Sequence, residues 1–208
     1  MTNNRRSSVT VIRDNQQYRG IIILALTGAA VATVCDGVHV YTQTLSYTHP
    51  FWFGQPWWVY PNFVLVFIFM AAGYLFMTNR VPARVAVQKS AAPGSARALT
   101  ETVVSFALVY LLSGFGHDAP VFLSVIFYGT FAARWLFTYD RPWLLLIAVV
   151  MAFGGMFAEG AVAVAGLMQY RTVNVFHVPF WLGGLYVHGA FALREGMRFF
   201  VYQKLNRP

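Results

Sequence analysis

Apolar positions run along this chain in six long blocks, near 20–42, 57–78, 99–115, 120–138, 143–168 and 179–197, with polar or Pro- and Gly-marked connections between them. Each block is roughly 17 to 26 residues long, enough for a helix to cross about 30 Å of hydrocarbon. Membrane-spanning strands alternate inward and outward over about 10 residues. Runs such as IIILAL and LLLIAVVMAF do not alternate, so the pattern predicts helices. The first block is too long, and too polar at its far end, for a signal-peptide core, and no small-residue cleavage motif follows it. The pattern predicts an all-α membrane protein of six transmembrane helices.

The connections divide the chain further. Residues 1–18 are polar and without apolar periodicity, which reads as a flexible cytoplasmic arm; 19–198 form the transmembrane domain, and 199–208 a basic tail. Between the first two blocks, Phe51, Trp52, Phe53, Trp57, Trp58 and Tyr60 form an aromatic belt at headgroup level, braced by Pro50, Pro56 and Pro61. The connection 79–98, with Pro82, Pro93 and Gly94, is the one long loop. SGFGHDAP and TYDRP are tight enough to force antiparallel neighbours.

Composition agrees with a bilayer as solvent, at 58% hydrophobic and 11% charged residues. The net charge of +8 would suit nucleic acid if it were spread over a surface. It is not spread: of the 15 basic residues only Arg171 falls on one side of the expected membrane, and the rest fall on the other. That asymmetry predicts an even number of spans with both termini cytoplasmic, and it makes the basic excess mainly topological. Cys35 is the single cysteine, which excludes an intrachain disulfide and any metal site built on several thiolates.

Ionisable groups within the blocks are the informative ones, because a central Asp costs about 2.5–3.5 kcal/mol on insertion scales. Asp36, Glu159 and His188 stand out, each on a stripe of small residues at helical spacing: Ala25, Ala29, Ala32 and His39 with Asp36; Gly155 and Ala163 with Glu159; Gly184 and Ala192 with His188. Such stripes turn these faces into the bundle. Asp36 and Glu159 share a depth, so Asp36, His39 and Glu159 can meet, either as a helix-packing hydrogen-bond set, as a ligand-facing cluster or as a proton relay. Trp58 and position 62, where Asn62 precedes Phe63 at the opening of the second block, join the candidate ligand-binding set. No HExxH, GxSxG, phosphate loop or carboxylate-rich metal run occurs. His49, His117, His177 and Asp118 have spacings that specify no acid–base pair. No catalytic residue, metal or cofactor is therefore assigned. At the inner turn, Asp140 suits the positive end of the fifth helix and Pro142 an early helical position.

Several short motifs, in order and spacing, carry a resemblance: Trp57-Trp58-Val59-x-Pro61, Gly116-His117, Thr138-x-Asp140-Arg141, Gln169-Tyr170 and Trp181-Leu182. Over residues 55–198 the chain resembles the Insig family of membrane sterol sensors. The resemblance implies six helices with cytosolic ends, an intramembrane lipid cavity, and regulation through other membrane proteins without catalysis. It also implies a partner-binding role for Asp140, with Arg141 beside it. Where animal members carry a sterol-sensing Gln and Trp, this chain has Leu123 and Leu136, and Arg outnumbers Lys thirteen to two, a bias of GC-rich bacterial genomes. The expected protein is a non-enzymatic sensor of a glycerolipid such as diacylglycerol, or of a sterol, with another membrane protein or a second copy as partner. Its place is the plasma membrane in a bacterium and the endoplasmic reticulum in a eukaryote. The alternatives are a proton-coupled small-solute transporter using Glu159 and His188, and a membrane lipid enzyme.

Overall fold

The computed structural model describes residues 3–82, 85 and 87–202, with residues 3–14 described as backbone only. Six α-helices occupy the six apolar blocks: α1 Asn3–Tyr41, α2 Val59–Arg80, α3 Ala96–Phe115, α4 Pro120–Leu136, α5 Arg141–Val164 and α6 Trp181–Gly196, the last continued by a π-helical turn, Met197–Val201. Local chemistry sets several of their starts. The Ser95 side chain accepts from the Ala98 amide at 3.2 Å to cap α3. Pro120 and Pro142 stand in the first turns of α4 and α5, where a missing N–H costs nothing. Helix α1 continues back through the polar stretch read as an arm, its apolar part being Asn15–Tyr41. That segment, α2, α3 and α5 are each long and apolar enough to cross a membrane, and α4 is a shorter apolar helix.

Helix α6 is the axis. Fourteen of its sixteen residues are buried, and it packs against α3, α4 and α5. Glycine allows that crowding: a Cβ on Gly184 would stand 2.7 Å from the Phe127 Cβ of α4. The other helices turn many large apolar side chains outward, among them Phe69, Val125 and Phe153. An apolar exterior around an apolar core departs from a soluble bundle, whose outer faces are polar.

The all-α expectation needs one correction. Strand β1 (Leu45–Tyr47) pairs antiparallel with β2 (Met168–Tyr170) in the register Leu45↔Tyr170, Ser46↔Gln169, Tyr47↔Met168. Three-residue strands are too short to show alternation, and their pairing joins segments more than a hundred residues apart, so no local pattern marks them. The sheet closes one end of the bundle.

The other end is closed by the segment 87–94, which forms a strap. The Gly94 amide donates to the Arg198 carbonyl at 2.9 Å, and the Arg198 side chain donates back to the carbonyls of Ala92 at 3.2 Å and Pro93 at 3.1 Å. Helix α2 packs along α1 but stands away from α5, and a cavity fills the gap.

Candidate functional site

The cavity between α2 and α5 measures about 560 Å³, within the range of small-ligand sites. Phe63, Val66 and Met70 line it from α2, and Ile147, Val150 and Met151 from α5. Gly73 and Gly154 open onto it, and a Cβ at either position would touch nothing within 4 Å. Phe69 and Val150 line it while remaining exposed at the bundle's side, so it opens sideways, where lipid tails would lie.

One end of the cavity is polar. Asp36 is buried and its carboxylate accepts from the Tyr47 hydroxyl at 2.9 Å and from Gln55 Nε2 at 2.7 Å. Glu159, half-buried, accepts from the hydroxyls of Tyr170 and Tyr186. The small sheet organises both groups. Its strands supply Tyr47 to Asp36 and Tyr170 to Glu159, so two carboxyl groups from distant helices are held at one level by paired strands. Burial first, and then the Asp36 carboxylate, push the Tyr47 hydroxyl far above the ordinary tyrosine pKa, which keeps it a donor.

Asp36, Trp58, Asn62 and Glu159 thus line one cavity. His39 does not reach it. Its Nε2 lies 2.7 Å from Ser113 Oγ, and its ring packs 4.8 Å from Tyr110, because its helical position faces α3 and α6. His188 faces α4, with Nε2 3.0 Å from the Phe127 carbonyl and Nδ1 accepting from Arg134 at 3.2 Å. Glu159 and His188, grouped above as a transport pair, point into different surroundings. Near the sheet, His117 lies 3.4 Å from Asp118, which also faces Arg171 at 3.6 Å across an exposed surface.

At the strap end, Asp140 departs from the expected cap. Its backbone is left-handed, with φ 46°, and its carboxylate accepts from the Ser90 amide at 2.7 Å while making no cap bond to α5. Arg141 is exposed and its Nη1 reaches the Leu136 carbonyl at 3.4 Å. Beside them lies a network that the sequence reading missed. Buried Glu195 accepts from Arg194 Nε at 3.0 Å, from Arg198 Nη1 at 2.6 Å and from the Tyr139 hydroxyl. The Arg194 guanidinium stacks 3.9 Å over the Tyr139 ring. A Glu with Arg one residue before and three after, at the end of an apolar block, was the available signal. Burial first, and then the bond to Glu195, raise the Tyr139 hydroxyl above its usual range.

Long apolar helices around a laterally open cavity with one polar end define a helical membrane protein. Its fold is that of a mycobacterial Insig homolog from Mycobacterium vanbaalenii, which aligns with TM-score 0.68 and 20% identity over 90% of this chain and 97% of that one. A cross-linked trimer of a variant of the same homolog aligns with TM-score 0.66, again at 20% identity and over the same shares of each chain. No protein-family model matches the chain, and no curated protein does.

Proposed function

We propose that this chain is a distant prokaryotic Insig-type sensor that holds a glycerolipid such as diacylglycerol, or a sterol, between α2 and α5 and passes its occupancy to another membrane protein without catalysing a reaction. One observation carries the reading: the cavity is apolar along its length, opens toward the bilayer, and ends in two carboxyl groups already held in place by tyrosines. Lipid tails would lie against the apolar walls, while a hydroxyl or ester end would seek Asp36, Asn62 and Glu159. The six helices would each cross the membrane, and the basic asymmetry favours an even number of crossings with both ends cytoplasmic. Helix α6 and its π-helical continuation, Trp181–Val201, span roughly 30 Å at helical rise, which is sufficient for the central crossing. The basic strap end then faces the cytoplasm, and the sheet lies at the outer face. A second copy is a candidate partner, in keeping with the cross-linked trimer of the mycobacterial homolog. The proton-coupled transporter has less support, because Glu159 and His188 share no hydrogen bond and face different helices.

Native mass spectrometry of gently extracted protein, with identification of retained lipid, tests the reading. Wild type is expected to retain a glycerolipid or sterol, and Gly154→Trp, which fills open cavity space, to lose it. Glu159→Leu should weaken retention by a hydrogen bond's worth, about 0.5–1.5 kcal/mol, more than Glu159→Gln. Equal retention by wild type and folded Gly154→Trp would move the ligand elsewhere, and retention of no lipid would sink the sensor.

A further inference from the structure

A second cavity of about 340 Å³ lies over the small sheet, lined in part by Ser46, Thr48, Gln169, Val173 and His177. Its lining is about half polar, whereas that of the lipid cavity is mainly apolar. Ser46 and Gln169 are cross-strand partners, so their side chains share one face of the sheet, while Tyr47 and Tyr170 turn the other way toward the carboxyl groups. Tyr47, Met168 and Tyr170 border the vestibule as well, so the sheet is a shared boundary of the two cavities. Both cavities touch Tyr47 and Met168, and a methionine is the side chain most easily moved aside.

Three polar residues of the vestibule, Ser46, Gln169 and His177, are exposed, and their side chains make no hydrogen bond to the described residues. His177 is held over the vestibule by a tight turn in which it and Phe176 both have left-handed backbones, φ 62° and 51°, closed by the Val175–Val178 bridge. Non-glycine residues in that region store strain, which persists where the surroundings impose it. No Lys or Arg lines either cavity. Arg171, the basic residue at this end, turns to Asp118 instead. A phosphate headgroup in the vestibule would therefore find no lysine or arginine to pair with, and at the mouth of the lipid cavity it would face Asp36 and Glu159. Hydroxyl groups suit this lining, since they donate to the Gln169 side-chain carbonyl and exchange hydrogen bonds with the Gln169 amide, the Ser46 hydroxyl and the His177 ring.

We infer that the vestibule is the headgroup subsite of the lipid cavity, and that it selects an uncharged, hydroxyl-rich headgroup such as a single sugar over a phosphate. The assignment rests on the lipid reading above. It makes the ligand a glycosyl-glycerolipid whose tails lie between α2 and α5 and whose sugar passes Tyr47 and Met168 to lie over Ser46 and Gln169.

Three lipids with the same tails test it: dioleoylglycerol, monogalactosyl-dioleoylglycerol and dioleoylphosphatidylglycerol, each titrated against delipidated full-length protein by native mass spectrometry. The galactolipid is expected to bind roughly tenfold more tightly than either of the others. Gln169→Ala combined with His177→Ala should abolish that preference and leave dioleoylglycerol binding unchanged. Free galactose without lipid should not bind measurably. Dioleoylglycerol binding as tight as the galactolipid, a preference for the phospholipid, or a preference surviving the double substitution would overturn the headgroup assignment while leaving the lipid cavity standing. Free galactose binding as tightly as the lipid would make the vestibule a separate sugar site and also overturn it. Binding of none of the three lipids would remove the cavity reading and the subsite with it.

Discussion

At the scale of residues, adjacent glycines of α5 do opposite work. Gly154 faces open cavity, whereas a Cβ on Gly155 would lie 2.4 Å from the Tyr186 ring, the same ring whose hydroxyl holds Glu159. Gly155→Ala must displace Tyr186 and with it one of the two donors to a half-buried carboxyl group. Overpacking of this kind costs about 1–3 kcal/mol, so its thermal midpoint in detergent should fall. Gly154→Ala should be neutral or slightly stabilising, because alanine reduces the freedom of the unfolded chain. Equal midpoints for the two variants would mean that Tyr186 moves aside freely. Helical spacing places Gly155 on the inward stripe of Glu159, but the contact that fills its face, the Tyr186 ring of α6, is not in the pattern.

Among elements, α2 is the wall least tied to the rest. It rejoins α5 at the strap end through Tyr74, whose hydroxyl accepts from Trp143 Nε1 at 3.0 Å and donates to the Ser90 carbonyl at 3.2 Å. Ser90 is thus gripped at both ends of its peptide, by Tyr74 at the carbonyl and by Asp140 at the amide. Tyr74→Phe leaves a buried indole N–H and a buried carbonyl unpaired, at a cost of about 1–3 kcal/mol each. Hydrogen exchange in residues 87–94 should accelerate in this variant, and also in Asp140→Ala, which frees the Ser90 amide. If exchange stayed at the wild-type rate in both, the strap would be held by Arg198 alone. Asp140 does stand at the start of α5, as spacing suggests, but its left-handed backbone directs the carboxylate to a loop fifty residues away, which spacing does not show.

On the scale of the whole molecule, the basic side chains collect at the strap end, and the sheet end carries the exposed aromatics Phe51, Trp52, Phe53 and Trp57. Both features suit a bundle oriented with the strap in the cytoplasm. Reporters active only in the cytoplasm should give signal when inserted at exposed Gln88 or fused at the C-terminus, and none when inserted at exposed His49. Signal at His49 would reverse the orientation and turn the vestibule toward the cytoplasm.

What the sequence determined was whatever depends on composition and period. Six apolar blocks placed six helices, and small-residue stripes marked the faces of Asp36 and Glu159 as turned toward neighbouring helices. Trp58 and Asn62, at the head of α2, line the cavity, which their place in the pattern alone does not show. Tertiary structure decided what depends on rotation about a helix axis and on contacts between distant segments. His39 and Asp36 are three residues apart on one stripe, yet one faces Ser113 and the other the cavity, because the stripe is broad enough to border two neighbouring helices. The tyrosines that hold the carboxyl groups arrive on strands too short to carry a period, paired across more than a hundred residues. Glu195 is satisfied by a loop tyrosine and by an arginine whose other donors bind the strap. In each of these cases the deciding energy is a hydrogen bond made to a buried polar group, which must be paired with whatever the fold brings to it.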